Sequence, residues 1–211
     1  MRILIADDEV LLRDALERLL LAAGHDVVGT AGDGPGLVRQ ALGVDPELVI
    51  ADVRMPPSQQ DEGLRAALQI RARTPATAIL VLSHHLQVRY AVELLAADAR
   101  GVGYLLKQRM ADVERFLSAL DQIGAGGTVI DAEVAGVMIA RLRAAALDGD
   151  ELDLLSLIAQ GRTDVAIAAE LTIAESEVAR RVASAFAALG LPSTADGKER
   201  VSALVRRATQ R

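Results

Sequence analysis

The chain has no cysteine and no tryptophan, and only two tyrosines and two phenylalanines in 211 residues. Without cysteine there is no disulfide framework and no thiolate metal centre, which fits a reducing compartment. Half of the residues are hydrophobic (51%) yet so few are aromatic that the core must be built from Leu, Val, Ile and Ala. No apolar stretch approaches the roughly 18 residues that a membrane span needs, and a strand-like run begins at residue 2 with no leader pattern before it. The expectation is a soluble, cytoplasmic protein with no membrane partner. A basic excess is missing as well: the formal net charge is −6, and residues 148–211 alone carry 8 basic against 10 acidic side chains. Composition therefore supplies no positive footprint for nucleic acid, and any such binding must come from local pairs such as Arg180-Arg181 and Arg206-Arg207.

What the chain does have is a set of short apolar runs, each ending in a polar residue. Asp7-Asp8 follow Ile3-Leu4-Ile5-Ala6, Asp52 follows Leu48-Val49-Ile50-Ala51, Ser83 follows Ile79-Leu80-Val81-Leu82, and Lys107 follows Tyr104-Leu105-Leu106. Continuous apolar runs alternating with helical patterns read as buried strands of a parallel sheet. In open α/β sheets the functional crevice lies at the carboxyl ends of the strands, where all four polar sites fall. Three carboxylates at one spot repel one another, and a divalent cation resolves that repulsion. Carboxylate oxygens suit Mg²⁺, which also accepts water and phosphate oxygens. An aspartate can attack a phosphoryl group to give an acyl phosphate, with metal and ammonium stabilising the charge on the transferring oxygens. Lysine is rare here: of 23 basic residues only Lys107 and Lys198 are lysine. A compact ammonium at Lys107, in a chain that otherwise uses arginine, points to a phosphoryl oxygen rather than to a strand-end surface cation.

The runs and breakers predict strands at 2–6, 26–30, 48–51, 78–82 and 102–106, and helices at 9–22, 35–43, 63–73, 86–97 and 111–123. Short connections and right-handed crossovers then favour a flavodoxin-like, doubly wound, five-stranded parallel sheet of order 2-1-3-4-5. After Gly124-Ala125-Gly126-Gly127 comes a short extended piece, Thr128–Asp131, and a helix over 132–146 with Asp131 as its N-cap. The remainder reads as four helices, 150–159, 163–170, 175–188 and 197–209, with Thr163 capping the second. The boundaries are 1–123, a partly helical linker at 124–148, and a smaller all-α helix-turn-helix domain at 149–211.

Residues 1 to about 123 resemble the receiver domain of two-component response regulators. The match rests on Asp7-Asp8, on Asp52 with Met55-Pro56 after it, on Ser83, and on Gly103-Tyr104-Leu105-Leu106-Lys107. The resemblance implies that Asp52 accepts the phosphoryl group from a partner histidine kinase. It implies Mg²⁺ held by Asp8, Asp52 and the backbone carbonyl of Arg54, with Asp7 acting mostly through water. Ser83 and Lys107 would sense the phosphoryl group, and Tyr104 would be a rotamer switch that swings inward. A homodimer formed on phosphorylation is the expected readout. Residues 149–211 resemble the LuxR-type DNA-binding domain of NarL/FixJ-class regulators, through Leu154-Leu155, Ile158-Ala159-Gln160-Gly161, Ile167-Ala168, Leu171, Ile173, Val178, Val182 and Leu189-Gly190-Leu191. The recognition helix would place Arg180 and Arg181 on duplex DNA. This sequence departs from the family there: Glu177-Val178-Ala179-Arg180-Arg181 replaces the usual Thr-Val-Lys/Arg-Asn-His, and Ala188 and Val165 stand at positions usually basic.

The reading is thus a DNA-binding transcriptional regulator that is not an enzyme. The alternative is a phosphorylation-controlled protein-interaction module whose helix-turn-helix has weakened or lost DNA binding. A haloacid-dehalogenase-type phosphatase also uses aspartate, Mg²⁺ and lysine, but carries Asp-x-Asp after its first strand, where this chain has Asp7-Asp8-Glu9. His84-His85 lacks metal-ligand spacing and reads as loop, as does Gln59-Gln60-Asp61-Glu62; Gly32–Gly36 reads as a turn and helix start. The Arg54 side chain could reach the phosphoryl group or block an attacking water.

Overall fold

The computed structural model describes residues 1–97, 100–140, 149–189, 191, 199–201 and 203–204. The chain divides into two compact units, Met1–His85 with Arg100–Gly127, and Leu86–Ala99 with Thr128–Arg211.

In the first unit the apolar runs form β1 (Arg2–Ala6), β3 (Leu48–Asp52), β4 (Ala78–Ser83) and β5 (Val102–Leu106), with β2 (Asp26–Ala31) at one edge. Every residue of β3, β4 and β5 is buried, as an unbroken Val/Ile/Leu pattern requires of a sheet covered on both faces. The pairs β1–β2, β1–β3, β3–β4 and β4–β5 are all parallel. The expected order stands, but the strand count is corrected from five to six: the sheet runs β2-β1-β3-β4-β5-β6, where β6 is Thr128–Ile130. A run of Thr, Val and Ile after a glycine turn has the β-branched character of an edge strand; three residues are too few for periodicity to reveal pairing.

Between the strands lie α1 (Val10–Ala22), α2 (Gly34–Val44), α3 (Glu62–Arg73) and, after a 3-10 turn at Lys107–Ala111, α5 (Val113–Gly124). Right-handed crossovers put α1 on one face and α2 with α3 on the other. The Gly32–Gly36 stretch is a turn and helix start: Asp33 N-caps α2 by accepting from the Gly36 N–H at 2.6 Å, with Pro35 inside the first turn. The 3-10 turn delays α5, which begins two residues later than its apolar pattern suggests, capped by Asp112.

The second unit holds α4 (Val88–Ala97), β6, α6 (Ala132–Ala140), α7 (Gly149–Ala159), α8 (Asp164–Leu171) and α9 (Glu175–Ala188). Asp131 accepts from the Glu133 N–H at 3.0 Å and so starts α6, and Thr163 accepts from the Ala166 N–H at 3.2 Å and so starts α8. Val178, Val182, Ala185 and Phe186 form the buried face of α9, set against Leu154, Leu155, Ile158 and Ile167 in the same core. Gly161 has φ +81, and a side chain there would strike the Thr128 carbonyl at 1.7 Å. With the Ile130 N–H donating to the Gln160 carbonyl at 3.3 Å, this ties β6 to the end of α7. In the stretch expected to be a last helix, residues 199–201 and 203–204 are helical, while Arg206-Arg207 and residues 141–148 lie outside the described residues. Among the described residues no helix is long and apolar enough to cross a membrane.

Candidate functional site

The four polar sites meet because β1, β3, β4 and β5 are parallel neighbours and stop at nearly the same level. Ala6 faces Ala51 and Ser83 faces Leu106, so Asp7, Asp52, Ser83 and Lys107 follow one another along the sheet's carboxyl edge. Asp7, Asp8 and Asp52 each offer a carboxylate oxygen within 4.8 Å of the others, a donor set able to hold a metal ion. Lys107 Nζ lies 2.7 Å from Asp7 Oδ2, 3.4 Å from Asp52 Oδ1 and 3.6 Å from Glu9 Oε1. Asp7, Asp52, Ser83 and Lys107 are buried, whereas Asp8 is half-buried at the mouth. Three carboxylates facing one ammonium leave the cluster short of positive charge, and hard oxygen donors at this spacing fit a divalent cation.

Burial pushes the Asp52 carboxyl up to about 6; the Lys107 charge opposes this and the Asp7 charge adds to it. For Lys107, burial works against the ammonium, but the hydrogen bond to Asp7 and the charges of Asp52 and Asp7 outweigh it and raise its pKa. Glu9 is held low by its hydrogen bond to His84 and by the Lys107 charge. A pH dependence follows. Without a divalent cation, Asp52 loses its proton near pH 6 when folded and near 3.8 when unfolded. Between those values the unfolded chain binds fewer protons, so stability falls as pH rises through that window. Asp52→Asn removes the loss: at pH 7 the metal-free variant should be more stable by roughly 1–3 kcal/mol, the gain vanishing near pH 4. Urea unfolding at the two pH values checks this, and parallel pH profiles for both chains would contradict it.

Arg54, Ser83, His84 and His85 line a cleft of about 280 Å³ together with Asp52 and Val53. The Ser83 hydroxyl donates to the His85 carbonyl at 2.8 Å, and the Arg54 side chain is exposed. Tyr104 on β5 is fully buried, its ring inside the core. In the other unit, Arg180 and Arg181 project from α9, and both are held by Glu177: Arg180 Nε at 2.8 Å and Arg181 Nε at 2.8 Å. Arg181 also reaches Asp150 at 3.5 Å.

Three features escaped the sequence reading. Glu9 joins Lys107 to His84, 3.1 Å from the His84 Nε2. Gln59 donates its side-chain amide to Asp8 Oδ2 at 2.8 Å, across 51 residues of sequence. Gly63 opens α3 directly under Asp52, where a side chain would meet the Asp52 carbonyl oxygen at 1.7 Å. Glu9 could have been noticed as the third acid of Asp7-Asp8-Glu9; the other two carry no local signal.

Residues 3–121 match the family model described as the response regulator receiver domain. The nitrate/nitrite response regulator protein NarL of Escherichia coli is 34% identical over 187 residues, covering 83% of each chain. The DNA-binding transcriptional activator DevR/DosR of Mycobacterium tuberculosis is 28% identical over 201 residues, 90% of this chain and 88% of that one. Among solved structures, the RcsB response regulator of Salmonella typhimurium superposes with a TM-score of 0.57 at 22% identity, covering 98% of this chain and 96% of that chain. With a receiver model spanning more than half of its length and a relative of this similarity along most of it, the chain belongs to the response regulators of the NarL/FixJ class.

Proposed function

We propose that the chain is a cytoplasmic, phosphorylation-dependent transcriptional regulator, in which residues 1–123 receive a phosphoryl group, 124–148 link, and 149–211 bind duplex DNA. The observation that carries this is the meeting of Asp7, Asp8 and Asp52 with Lys107 at adjoining strand ends. An Asp52 carboxylate oxygen bonds to the phosphorus of a phosphohistidine on the partner kinase; the P–N bond breaks and the imidazole nitrogen keeps its electron pair. Lys107 stays beside the acceptor as a fixed counter-charge. Asp8, Asp52 and the Arg54 carbonyl would hold Mg²⁺, with Asp7 acting through water. When bound, Mg²⁺ neutralises charge on the carboxylates and on the transferring oxygens.

The Ser83 hydroxyl then exchanges its acceptor. It now donates to the His85 carbonyl and would turn to a phosphoryl oxygen, releasing the loop that leads to α4. Tyr104 is the switch that answers: its buried ring is the inward state, and phosphorylation would raise the population of that state. The readout is a homodimer that sets two copies of α9 on successive half-sites.

In α9, Glu177 competes with phosphate and base edges for both guanidinium groups. DNA binding by one subunit should therefore be weak and depend on pairing. Arg180→Ala combined with Arg181→Ala should weaken binding to the chain's own upstream promoter region. It should also lower the log–log salt slope by about 2, near one unit per lost phosphate contact. Fluorescence anisotropy at several salt concentrations measures both. Unchanged affinity and slope would remove α9 as the DNA-reading element.

A further inference from the structure

The loop between β3 and α3 is built with more care than a solvated connection needs. Gln59 has φ +61, the left-handed region that a residue with a side chain rarely adopts. Its backbone N–H donates to the Met55 carbonyl at 3.1 Å. On its other side the Glu62 carboxylate accepts from the N–H groups of Ser58 at 3.2 Å, Gln60 at 3.0 Å and Asp61 at 3.2 Å. Four hydrogen bonds thus stake out the residues around one strained position. The side chain so placed reaches Asp8 Oδ2 at 2.8 Å.

Asp8 needs such a partner. Asp7 is held by the Glu9 N–H at 2.9 Å and by Lys107 at 2.7 Å, and Asp52 by Lys107 at 3.4 Å. Among the described residues Lys107 pairs with Asp7, Glu9 and Asp52 but not with Asp8, which is only half-buried and lies on a bend. Its carboxylate keeps further lone pairs after accepting one amide hydrogen, so the bond orients it without consuming it. We propose that Gln59 is a positioning residue for the divalent cation: by fixing the Asp8 carboxylate it sets the affinity of the three-carboxylate cluster. This rests on the reading of Asp8 as a metal ligand. Outer partners of metal ligands act in this way, and losing one costs about 10–100-fold in affinity.

The test is calorimetric titration of the full chain with Mg²⁺ and with Mn²⁺, comparing the native protein with Gln59→Gly, Gln59→Asn and Asp8→Asn. Glycine accepts the positive φ and keeps the loop while deleting the amide. Asparagine also tolerates that φ and keeps an amide, but is one methylene too short to reach Asp8. Both should bind about ten-fold more weakly, with metal-free thermal unfolding no lower than that of the native chain, and Asp8→Asn should lose binding. If Asp8→Asn loses binding but both Gln59 variants match the native isotherm or bind more tightly, the proposal is overturned. If Gln59→Gly lowers metal-free stability, the Gln59→Asn isotherm decides alone. Native-like binding by Asp8→Asn overturns the ligand assignment, and Gln59's role with it.

Discussion

Asp52→Asn is expected to abolish phosphoryl uptake from acetyl phosphate or a kinase in Mg²⁺, while leaving the fold intact. The amide is close in shape to the carboxylate and fits the same buried site, but it has no anionic oxygen to attack phosphorus. Asp7, the other buried carboxylate of the cluster, is tied up by Lys107 at 2.7 Å and by the Glu9 N–H at 2.9 Å. Intact-mass spectrometry should show one phosphoryl group on the native chain and none on the variant. Undiminished labelling of the variant would remove Asp52 as the acceptor. The same substitution is predicted to raise metal-free stability at neutral pH, so lost labelling cannot be ascribed to unfolding.

Gly63→Ala should be the most damaging small substitution in the first unit. The added Cβ would lie 1.7 Å from the Asp52 carbonyl oxygen, 2.9 Å from its carbon and 3.0 Å from Met55 Cε. Two of these atoms are backbone, and the Gly63 N–H is itself fixed to the Val53 carbonyl at 3.0 Å. Either α3 lifts from β3 or the Asp52 peptide moves. The expected loss is about 3 kcal/mol or more, at the upper end of overpacking costs. Because Asp52 moves with its peptide, the labelling rate of the molecules that still fold should fall by about 100-fold. Gly43→Ala is the control: near the end of α2 nothing lies within 4 Å of its added Cβ, and alanine there should stabilise by roughly 0.5–1 kcal/mol. Urea unfolding of both variants checks the contrast. Equal effects would mean that the contact beneath Asp52 is not what glycine provides.

The sheet and its polar edge were legible because burial on both faces writes itself as continuous Val, Ile and Leu. The residue that ends such a run is necessarily at the crevice. Asp7, Asp52, Ser83 and Lys107 could therefore be brought together from spacing alone. The extended piece at Thr128–Asp131 was legible but its place as a sixth strand was not, since three residues are too few to carry a period and pairing depends on the sheet beside them. Gln59 was hidden for a different reason. Its contact spans 51 residues and needs a left-handed backbone, which glutamine does not advertise. Gly63 looked like a helix start; only the fold places it under the Asp52 carbonyl. In α9 the apolar positions announced the helix, but the capture of Arg180 and Arg181 by Glu177 follows from side-chain reach at i+3 and i+4, so a local pair of arginines is not a free basic patch.

Phosphorylation at Asp52 is expected to control DNA binding by α9. This control is tested most directly by titrating the chain's own upstream promoter duplex with the full-length protein, before and after acetyl phosphate treatment in Mg²⁺. Asp52→Asn is treated in parallel. Treatment should tighten binding by the native chain, together with a doubling of its mass in solution, and change nothing for the variant. Superimposable native isotherms before and after a verified phosphorylation would contradict it.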